Sequence, residues 1–232
     1  HAFGASYIIN NKTYKVGSCK HSDICTFSFH PVKTITTGEG GLVTTNNFNF
    51  FKKIKEQRSH GIIRDNNKHW KYEINETSLN YRISEINCLL GLSQIKKTKK
   101  FLSKRYILAK TYNKNLVANS NILKAIDITK PNLSAWHLYI ILIDFEKLKV
   151  SKDKFIDLLL KKKIVIQQHY IPIYRVLGMK VKKQANYQNS EKYFKNALSL
   201  PLFIDLTISQ QKYIINELQK ILNYAVIKKR SR

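Results

Sequence analysis

The chain has 232 residues, of which 43% are hydrophobic, and its 41 basic and 15 acidic side chains give a formal charge of +26. This length can bury a sizeable core in one large domain or two small ones, and the apolar content favours a globular protein. The longest uninterrupted apolar run, near 138–143, is far shorter than a membrane span, so we expect no membrane partner.

The large positive charge by itself would suit a nucleic-acid ligand. Its distribution argues against one, because the lysines are scattered over both halves of the chain and accompany abundant isoleucine and asparagine. The sequence contains no RNP signature, no zinc finger and no convincing helix-turn-helix pattern. We therefore expect no specific nucleic-acid partner, and only nonspecific binding at low salt.

The cysteines indicate a reducing compartment. Cys19, Cys25 and Cys88 are odd in number and widely spaced, so they predict no disulfide framework. No CxxC or HExxH pattern is present, which argues against a zinc site. We expect a cytoplasmic protein without a bound metal.

The first informative segment is a pair of strands joined by a glycine-rich loop. Ile24–Phe29 is β-branched and aromatic, which predicts a buried strand of an α/β core, and Pro31 ends it. Leu42–Thr45 returns to strand character after a loop that contains three glycines, Gly38, Gly40 and Gly41. The loop therefore presents Lys33, with Ser28 close by in sequence.

A lysine in such a loop has two interpretations. Its amine can condense with an aldehyde to form a Schiff base, most readily where burial or a neighbouring cation lowers its pKa. It can also be a solvated lysine of a surface hairpin in a lysine-rich chain, and the spacing of Lys33 alone favours that interpretation.

The middle of the chain predicts two helices. Phe48–Ser59 is amphipathic and stops at Gly61, and the polar residues 62–77 predict a surface loop that could reach a partner subunit. A second helical pattern begins near Ser84 and continues to about Leu116. Helices this long commonly bridge two domains, so we predict a large domain over 1–100 and a small domain over 101–232.

The remaining pattern predicts a small α+β domain. Residues 119–133 are irregular, and Ala135–Asp144 is an apolar strand. Further elements are a helix capped by Ser151, a strand over Ile164–Gln168 and a last helix over Ser209–Leu222.

The order of residues around the lysine is more specific than the spacing. Ser28-Phe-His-Pro-Val-Lys33-Thr-Ile-Thr-Thr-Gly-Glu-Gly-Gly41 resembles the Schiff-base lysine segment of the DegT-type pyridoxal-phosphate (PLP) sugar-nucleotide aminotransferases. Other motifs follow in the same order along the chain: His1-Ala-Phe-Gly4, Arg58-Ser-His-Gly61, Leu79-Asn-Tyr-Arg82, Leu90-Gly-Leu-Ser-Gln94, His137-Leu-Tyr139, Gln168-His-Tyr-Ile-Pro-Ile-Tyr174 and Leu198-Ser-Leu-Pro201. Within that family, the chain is most similar to the UDP-4-amino-4,6-dideoxy-N-acetyl-β-L-altrosamine transaminases of pseudaminic acid biosynthesis.

The resemblance implies the C-terminal part of a fold-type I PLP-dependent transferase. We expect an α/β fold made of an incomplete large α/β/α domain and a small α+β domain. The chain starts inside a motif, so we expect a fragment that lacks its N-terminal part and is inactive by itself.

The resemblance also implies residue roles. Lys33 would hold the cofactor as a Schiff base, Ser28 would bind its phosphate or the substrate beside it, and His1 would lie beside the ring oxygen. Asn80 would bind the cofactor phosphate of the other subunit, which implies a homodimer with shared sites. Without the resemblance, Asn80 is an ordinary turn or capping residue.

The substrate side of the site is implied for a later segment. Gln168, His169, Tyr170 and Tyr174 would contact a sugar nucleotide; the alternative is aromatic packing under a loop. The implied reaction is transamination of a UDP-linked 4-keto-6-deoxy-HexNAc sugar with L-glutamate as donor. Two alternatives are a PLP-dependent sugar dehydratase relative, in which the lysine is commonly replaced, and an inactive basic binding protein.

Overall fold

The described chain begins with a β-hairpin whose turn consists of two asparagines. β1 (Ser6–Ile9) pairs antiparallel with β2 (Lys12–Lys15), and Asn10 and Asn11 have φ angles of +49° and +60°. A two-residue hairpin loop of this kind requires positive φ at both positions, which asparagine tolerates. The computed structural model describes residues 1–65, 67–68, 70–117, 122–126, 133–176 and 187–227.

A second hairpin carries the loop that contains Lys33. β3 (Ile24–Ser28) pairs antiparallel with β4 (Gly41–Thr45), in a register that places Ser28 opposite Gly41. The predicted strands and the loop between them are therefore confirmed, but the burial predicted for Ile24–Phe29 is wrong at Ile24, Thr26 and Ser28, which are exposed. Ile24, Leu42 and Val43 are between 41% and 44% exposed. Ile24 and Val43 lie on the face that the described residues leave uncovered, whereas Leu42 is directly opposite Phe27 and so shares its covered face.

That covered face holds a small aromatic cluster. Phe27, Phe29 and Ile35 are buried, and the partly buried Phe3, Val16, Cys25 and Phe101 pack against them. The Phe3 ring meets the rings of Phe27 and Phe29 edge to face, each with centroids 5.5 Å apart. This geometry is favourable for aromatic pairs, so the cluster anchors the hairpin that carries Lys33.

α1 (Phe48–Gln57) begins where the sequence predicts it. The Asn47 side chain accepts hydrogen bonds from the backbone N–H groups of Asn49 and Phe50, which is typical of a helix N-cap. The surface loop predicted for 62–77 is wrong in part, because β5 (Ile62–Arg64) pairs antiparallel with β6 (Tyr72–Ile74). Strands of three residues are too short for their alternation to be recognised.

α2 (Glu85–Tyr112) is the long helix that the periodicity predicts, and a π-helical turn, Asn113–Val117, follows it. The chain forms two compact units, each with many contacts among its own residues, and the first boundary between them falls within α2. The first unit comprises His1–Leu102 and Thr129–His137, and the second comprises Ser103–Ile128 and Leu138–Arg232. Ser6 and Leu133 join the two segments of the first unit by a pair of backbone hydrogen bonds, each 2.9 Å long.

The second unit is built on a three-stranded antiparallel sheet. Its order is β7 (Leu123–Ala125), β8 (Tyr139–Ile143) and β9 (Ala197–Leu200). The irregular segment predicted for 119–133 therefore contains a short strand. The predicted strand at Ile164–Gln168 is reduced to one bridge, between Gln167 and Ser199.

The described part of the second unit also contains the α-helices α3 (Phe145–Leu148), α4 (Lys152–Lys161), α5 (Gln188–Asn196) and α6 (Ile208–Ile227). Ser151 caps α4 as predicted, since its hydroxyl accepts from Lys154 N at 3.2 Å. α3 was not predicted, because its single turn is too short to show a helical period. In the part of the chain that the structure describes, no helix combines the length and the apolar character needed to cross a membrane.

Candidate active site

The loop that carries Lys33 is folded back onto the end of β3. Lys33 N donates to His30 O at 2.9 Å, and Thr37 N donates to Phe29 O at 3.0 Å. The Thr36 hydroxyl also donates to Phe29 O, at 2.9 Å. These bonds to the loop's own backbone give the lysine a defined starting point.

Gly40 allows the loop to close tightly. Its carbonyl accepts from Phe29 N at 2.9 Å, and its φ is +153°. A Cβ atom at this position would collide with the Thr37 hydroxyl and would lie 2.8 Å from Ile83 Cδ1. The closed loop therefore requires glycine here, both for its backbone angle and for its space.

The Lys33 side chain is half-buried and reaches His1. Its Nζ lies 2.5 Å from His1 Nε2, and the His1 ring packs against the ring of His137 with centroids 4.4 Å apart. One amine and two imidazoles thus meet within the first unit. His137 belongs to a motif of the sequence, but no role could be predicted for it, because only the fold brings it next to His1.

Ser28 is the last residue of β3 and is exposed. Its Oγ accepts from His30 N at 3.5 Å, so the hydroxyl hydrogen is not used in that contact. Ser28 and Lys33 begin and end the same short stretch of loop.

Asn80 lies in the turn that precedes α2 and is exposed. Its Oδ1 accepts from Arg82 N at 3.2 Å, and its backbone bridges to Ser59. This is the local turn geometry of the alternative interpretation. The Nδ2 donor of the side chain takes no part in that turn bond.

Gln168 and His169, two of the predicted substrate-binding residues, form hydrogen bonds within the second unit. Gln168 Nε2 donates to Phe194 O at 2.7 Å, and His169 Nδ1 lies 2.8 Å from Ser199 Oγ. These bonds fasten the segment that follows Ile166 to the end of α5 and to β9. Contact of Gln168 and His169 with a substrate stays a prediction.

Lys152 binds the same carbonyl as Gln168. Its Nζ donates to Phe194 O at 2.6 Å and lies 5.2 Å from the centroid of the Phe194 ring. Burial lowers the pKa of this ammonium group to about 8. In the sequence Lys152 contributes only to the net charge, because composition does not distinguish a half-buried lysine from a solvated one.

Tyr170 and Tyr174 line a cavity of about 550 Å³ in the second unit. Tyr187 and Tyr193 contribute to its wall, and Tyr170 is 59% exposed. The aromatic rings provide flat surfaces, and the hydroxyl and amide groups of Ser190 and Asn189 provide polar ones. Such a cavity can accept a ligand that combines a planar ring with hydroxyl groups.

Comparison with known proteins gives consistent results. Residues 1–219 match the family described as the DegT/DnrJ/EryC1/StrS aminotransferase family. A UDP-4-amino-4,6-dideoxy-N-acetyl-beta-L-altrosamine transaminase of Campylobacter jejuni is 37% identical over 223 residues, which cover 96% of this chain and 57% of the relative.

Solved structures show the same fold. PseC of Helicobacter pylori, described as an aminotransferase involved in the biosynthesis of pseudoaminic acid, is 30% identical with a TM-score of 0.84, over 94% of this chain and 57% of that one. The putative sugar aminotransferase Spr1654 of Streptococcus pneumoniae is 26% identical with a TM-score of 0.85, over 99% of this chain and 57% of that one. Other structures of Spr1654 are described as its PLP and PMP forms.

The chain therefore spans a little over half the length of the relatives it matches. These neighbours confirm the predicted fold class, which is part of a fold-type I transferase with α/β character. On the match over 1–219 and the identity to the transaminases, the chain belongs to the DegT/DnrJ/EryC1/StrS aminotransferase family.

Proposed function

We propose that this protein transfers an amino group from L-glutamate to the C4 ketone of a UDP-linked 4-keto-6-deoxy-HexNAc sugar, with PLP as its cofactor. Membership of an aminotransferase family and the similarity to the UDP-sugar transaminase of Campylobacter jejuni support this reaction. The single observation that carries the proposal is the half-buried amine of Lys33 beside His1, in a loop with the residue order of the family's lysine segment.

The residues present fit the cofactor. An amine that can hold an aldehyde lies 2.5 Å from an imidazole that can hydrogen-bond a ring hydroxyl. The Ser28 hydroxyl, whose hydrogen is not used toward His30, suits a phosphate oxygen. The cofactor, when bound, supplies an electron sink next to the carbon from which a proton is removed.

The chain's own residues would then act in sequence. Lys33 Nζ would hold the aldehyde of the cofactor covalently and would be released when the amino donor takes its place. The Lys33 amine, once free, would act as the base that accepts a proton from the donor carbon and would hold that proton for the later return. His1, which packs against His137, holds one side of the lysine and limits its orientations.

The presence of Lys33 favours amine transfer over dehydration, because the dehydratase relatives commonly replace this lysine.

We also propose that the protein acts as a homodimer in the cytoplasm, with Asn80 reaching the cofactor phosphate of the other subunit. The exposed position of Asn80 and its uncommitted Nδ2 support that role. A mixed dimer of Lys33→Ala and Asn80→Ala chains should regain one intact site, and its failure to regain activity would contradict the sharing.

The decisive experiment is Lys33→Ala in the complete protein. We expect loss of the visible absorbance of bound PLP and a fall in amine transfer of about 10²–10⁴-fold or more, because both the covalent attachment and the proton carrier are removed. The matched control is Lys12→Ala, an exposed lysine of β2 in the same unit, which should retain both. Full amine transfer by Lys33→Ala would overturn the assignment.

A further inference from the structure

The carboxylate of Glu191, on α5, is the meeting point of two neighbouring side chains of the turn Ile173–Arg175. The Tyr174 hydroxyl donates to Glu191 Oε1 at 2.9 Å, and Arg175 Nε donates to the same oxygen at 2.8 Å. Arg175 Nη2 donates to the other oxygen, Oε2, so the guanidinium is bound in a bidentate manner. Charge-assisted bidentate pairs fix orientation more strongly than single neutral hydrogen bonds.

Aromatic contacts also hold Tyr174 and Arg175 against the residues of α5 and its N-cap. The Tyr174 ring stacks on Tyr187, with centroids 4.5 Å apart and planes 12° apart. The Arg175 guanidinium lies 5.1 Å from the centroid of the Phe194 ring. Tyr187, Glu191 and Phe194 are spaced by four and three residues, so they lie on one side of α5. We give the name Glu191 clamp to the five residues that make these contacts: Tyr174, Arg175, Tyr187, Glu191 and Phe194.

The Glu191 clamp determines one wall of the cavity of about 550 Å³. Tyr174 and Tyr187 belong both to the clamp and to the cavity lining. The remaining wall includes Tyr170, which precedes the turn, Ile173 of the turn and Tyr193 of α5. If the turn moved away from α5, the stacked pair would separate and the cavity would lose its shape.

The protonation states suit these bonds. The hydrogen bond from Arg175 is the largest influence on Glu191 and lowers the pKa of its carboxyl group, so it is ionised at neutral pH. Desolvation, followed by the neighbouring Glu191, raises the pKa of the Tyr174 hydroxyl, which therefore keeps its proton and donates it.

We infer that Glu191 is a positioning residue that holds Tyr174 in place as part of the binding wall for the sugar-nucleotide substrate. The inference rests on the proposed function, because it assigns this cavity to the nucleotide-bearing substrate of that reaction. Glu191 itself has no chemical step, since both its carboxylate oxygens are occupied by Tyr174 and Arg175.

The test compares Glu191→Ala and Glu191→Gln in the complete protein. Glu191→Ala removes all three hydrogen bonds, so the KM for the sugar nucleotide should rise about tenfold or more, and the affinity for UDP, measured by calorimetric titration, should fall by a similar factor. Glu191→Gln keeps an acceptor for Tyr174 but loses the charged pair, so its effect should be smaller. The KM for L-glutamate should change less than about twofold in both variants.

Tyr174→Phe removes only the hydroxyl and keeps the ring that stacks on Tyr187. If Glu191 acts through Tyr174, the double variant Glu191→Gln/Tyr174→Phe should be little worse than the more impaired single variant. Full additivity of the two effects on the KM would overturn the inference.

Glu146→Gln is the matched control. It removes the ion pair of 2.5 Å between Glu146 and Lys195, which is also on α5 but outside the Glu191 clamp. This control should leave the KM for the sugar nucleotide unchanged. A Glu191→Ala protein that loses thermal stability but keeps the wild-type KM and UDP affinity would show a purely structural role and overturn the inference. A wild-type protein that transfers no amine and binds no UDP would overturn the proposed function instead.

Discussion

The two units of the chain differ in how they use their apolar residues. In the second unit β8 alternates with a period of two, and its inward residues Tyr139, Ile141 and Ile143 are fully buried together with Phe155 and Leu159. In the first unit, the buried apolar residues among those the structure describes are limited to four: Phe27, Phe29, Ile35 and Ala135. Ile86 and Leu89 of α2 are 79% and 66% exposed.

The difference shows that the two candidate regions are held by different means. In the second unit, the turn Ile173–Arg175 is held to α5 by side-chain hydrogen bonds, and the unit has the larger buried core. The first unit carries Lys33 on a small aromatic cluster and on backbone bonds within the loop, and it exposes a large apolar surface. Exposed surface of this kind is typical of a face that packs against further protein. The stability of the lysine loop is thus expected to depend on local geometry more than on core volume.

The largest expected effect is in the core of the second unit. Phe155→Ala should destabilise that unit by about 3–5 kcal/mol, because the ring is fully buried and meets Phe145 edge to face. Phe27→Ala, its counterpart in the first unit, should cost about 3 kcal/mol or less, since its smaller cluster can collapse into the space.

The chain's two tryptophans, Trp70 and Trp136, both belong to the first unit, so tryptophan fluorescence during denaturant unfolding reports on that unit. Hydrogen exchange of β8 reports on the second unit. Phe155→Ala should shift the second signal and leave the first. Equal shifts of both signals would mean that the two units unfold together, which would contradict the view that each is stabilised by its own means.

A moderate effect is expected from Gly61→Ala in the first unit. Gly61 has a φ of +68°, and a Cβ atom there would collide with the backbone carbonyl oxygen of Glu76. We expect a loss of about 2 kcal/mol or more in the tryptophan-monitored unfolding free energy. Gly38→Ala is the control: its φ is +79° but its nearest neighbour would be Asn87 Nδ2 at 3.6 Å, so it should cost only about 1 kcal/mol. Equal costs would show that backbone angle, not the collision, determines stability here.

The smallest effect concerns alkaline pH and the second unit. Burial raises the pKa of the Tyr112 and Tyr139 hydroxyls, so the folded unit keeps protons that the unfolded chain releases above about pH 10. The free energy of unfolding of this unit should therefore fall as the pH rises through that range. Tyr139→Phe should flatten the decline, as measured by hydrogen exchange at several pH values. If the unfolding free energy of Tyr139→Phe fell with pH as steeply as that of the wild type, the Tyr139 hydroxyl would not be a cause of the decline.

Much of the fold could be predicted from the sequence. The strands that flank the Lys33 loop, α1, α2 and α4 follow clear periodicities and capping residues. The short elements could not be predicted, because β5, β6 and β7 have three residues each and α3 has four. Three or four residues complete at most one repeat of a period, so composition alone must decide, and it favoured loops for the residues of β5, β6 and β7.

The site was less predictable than the fold. The motif around Lys33 indicates the lysine, but the approach of His137 to His1 joins residues at opposite ends of the first unit's sequence. Glu191 carries no motif, and its role emerges only when Tyr174 and Arg175 are seen on the same carboxylate. Gln168 and His169 bind Phe194 and Ser199, contacts that no sequence pattern indicates, and their contact with a substrate stays a prediction.

The pairing of Ser6 with Leu133 has a practical consequence for anyone dividing this protein. The first unit is discontinuous in sequence, because its Thr129–His137 segment is encoded after the start of the second unit. A truncation after Leu102 would remove Leu133, the partner of Ser6, and also His137, the support of His1. A separately expressed lysine-bearing unit therefore needs this later segment grafted back by a linker, and simple deletion of the C-terminal half would damage the environment of Lys33.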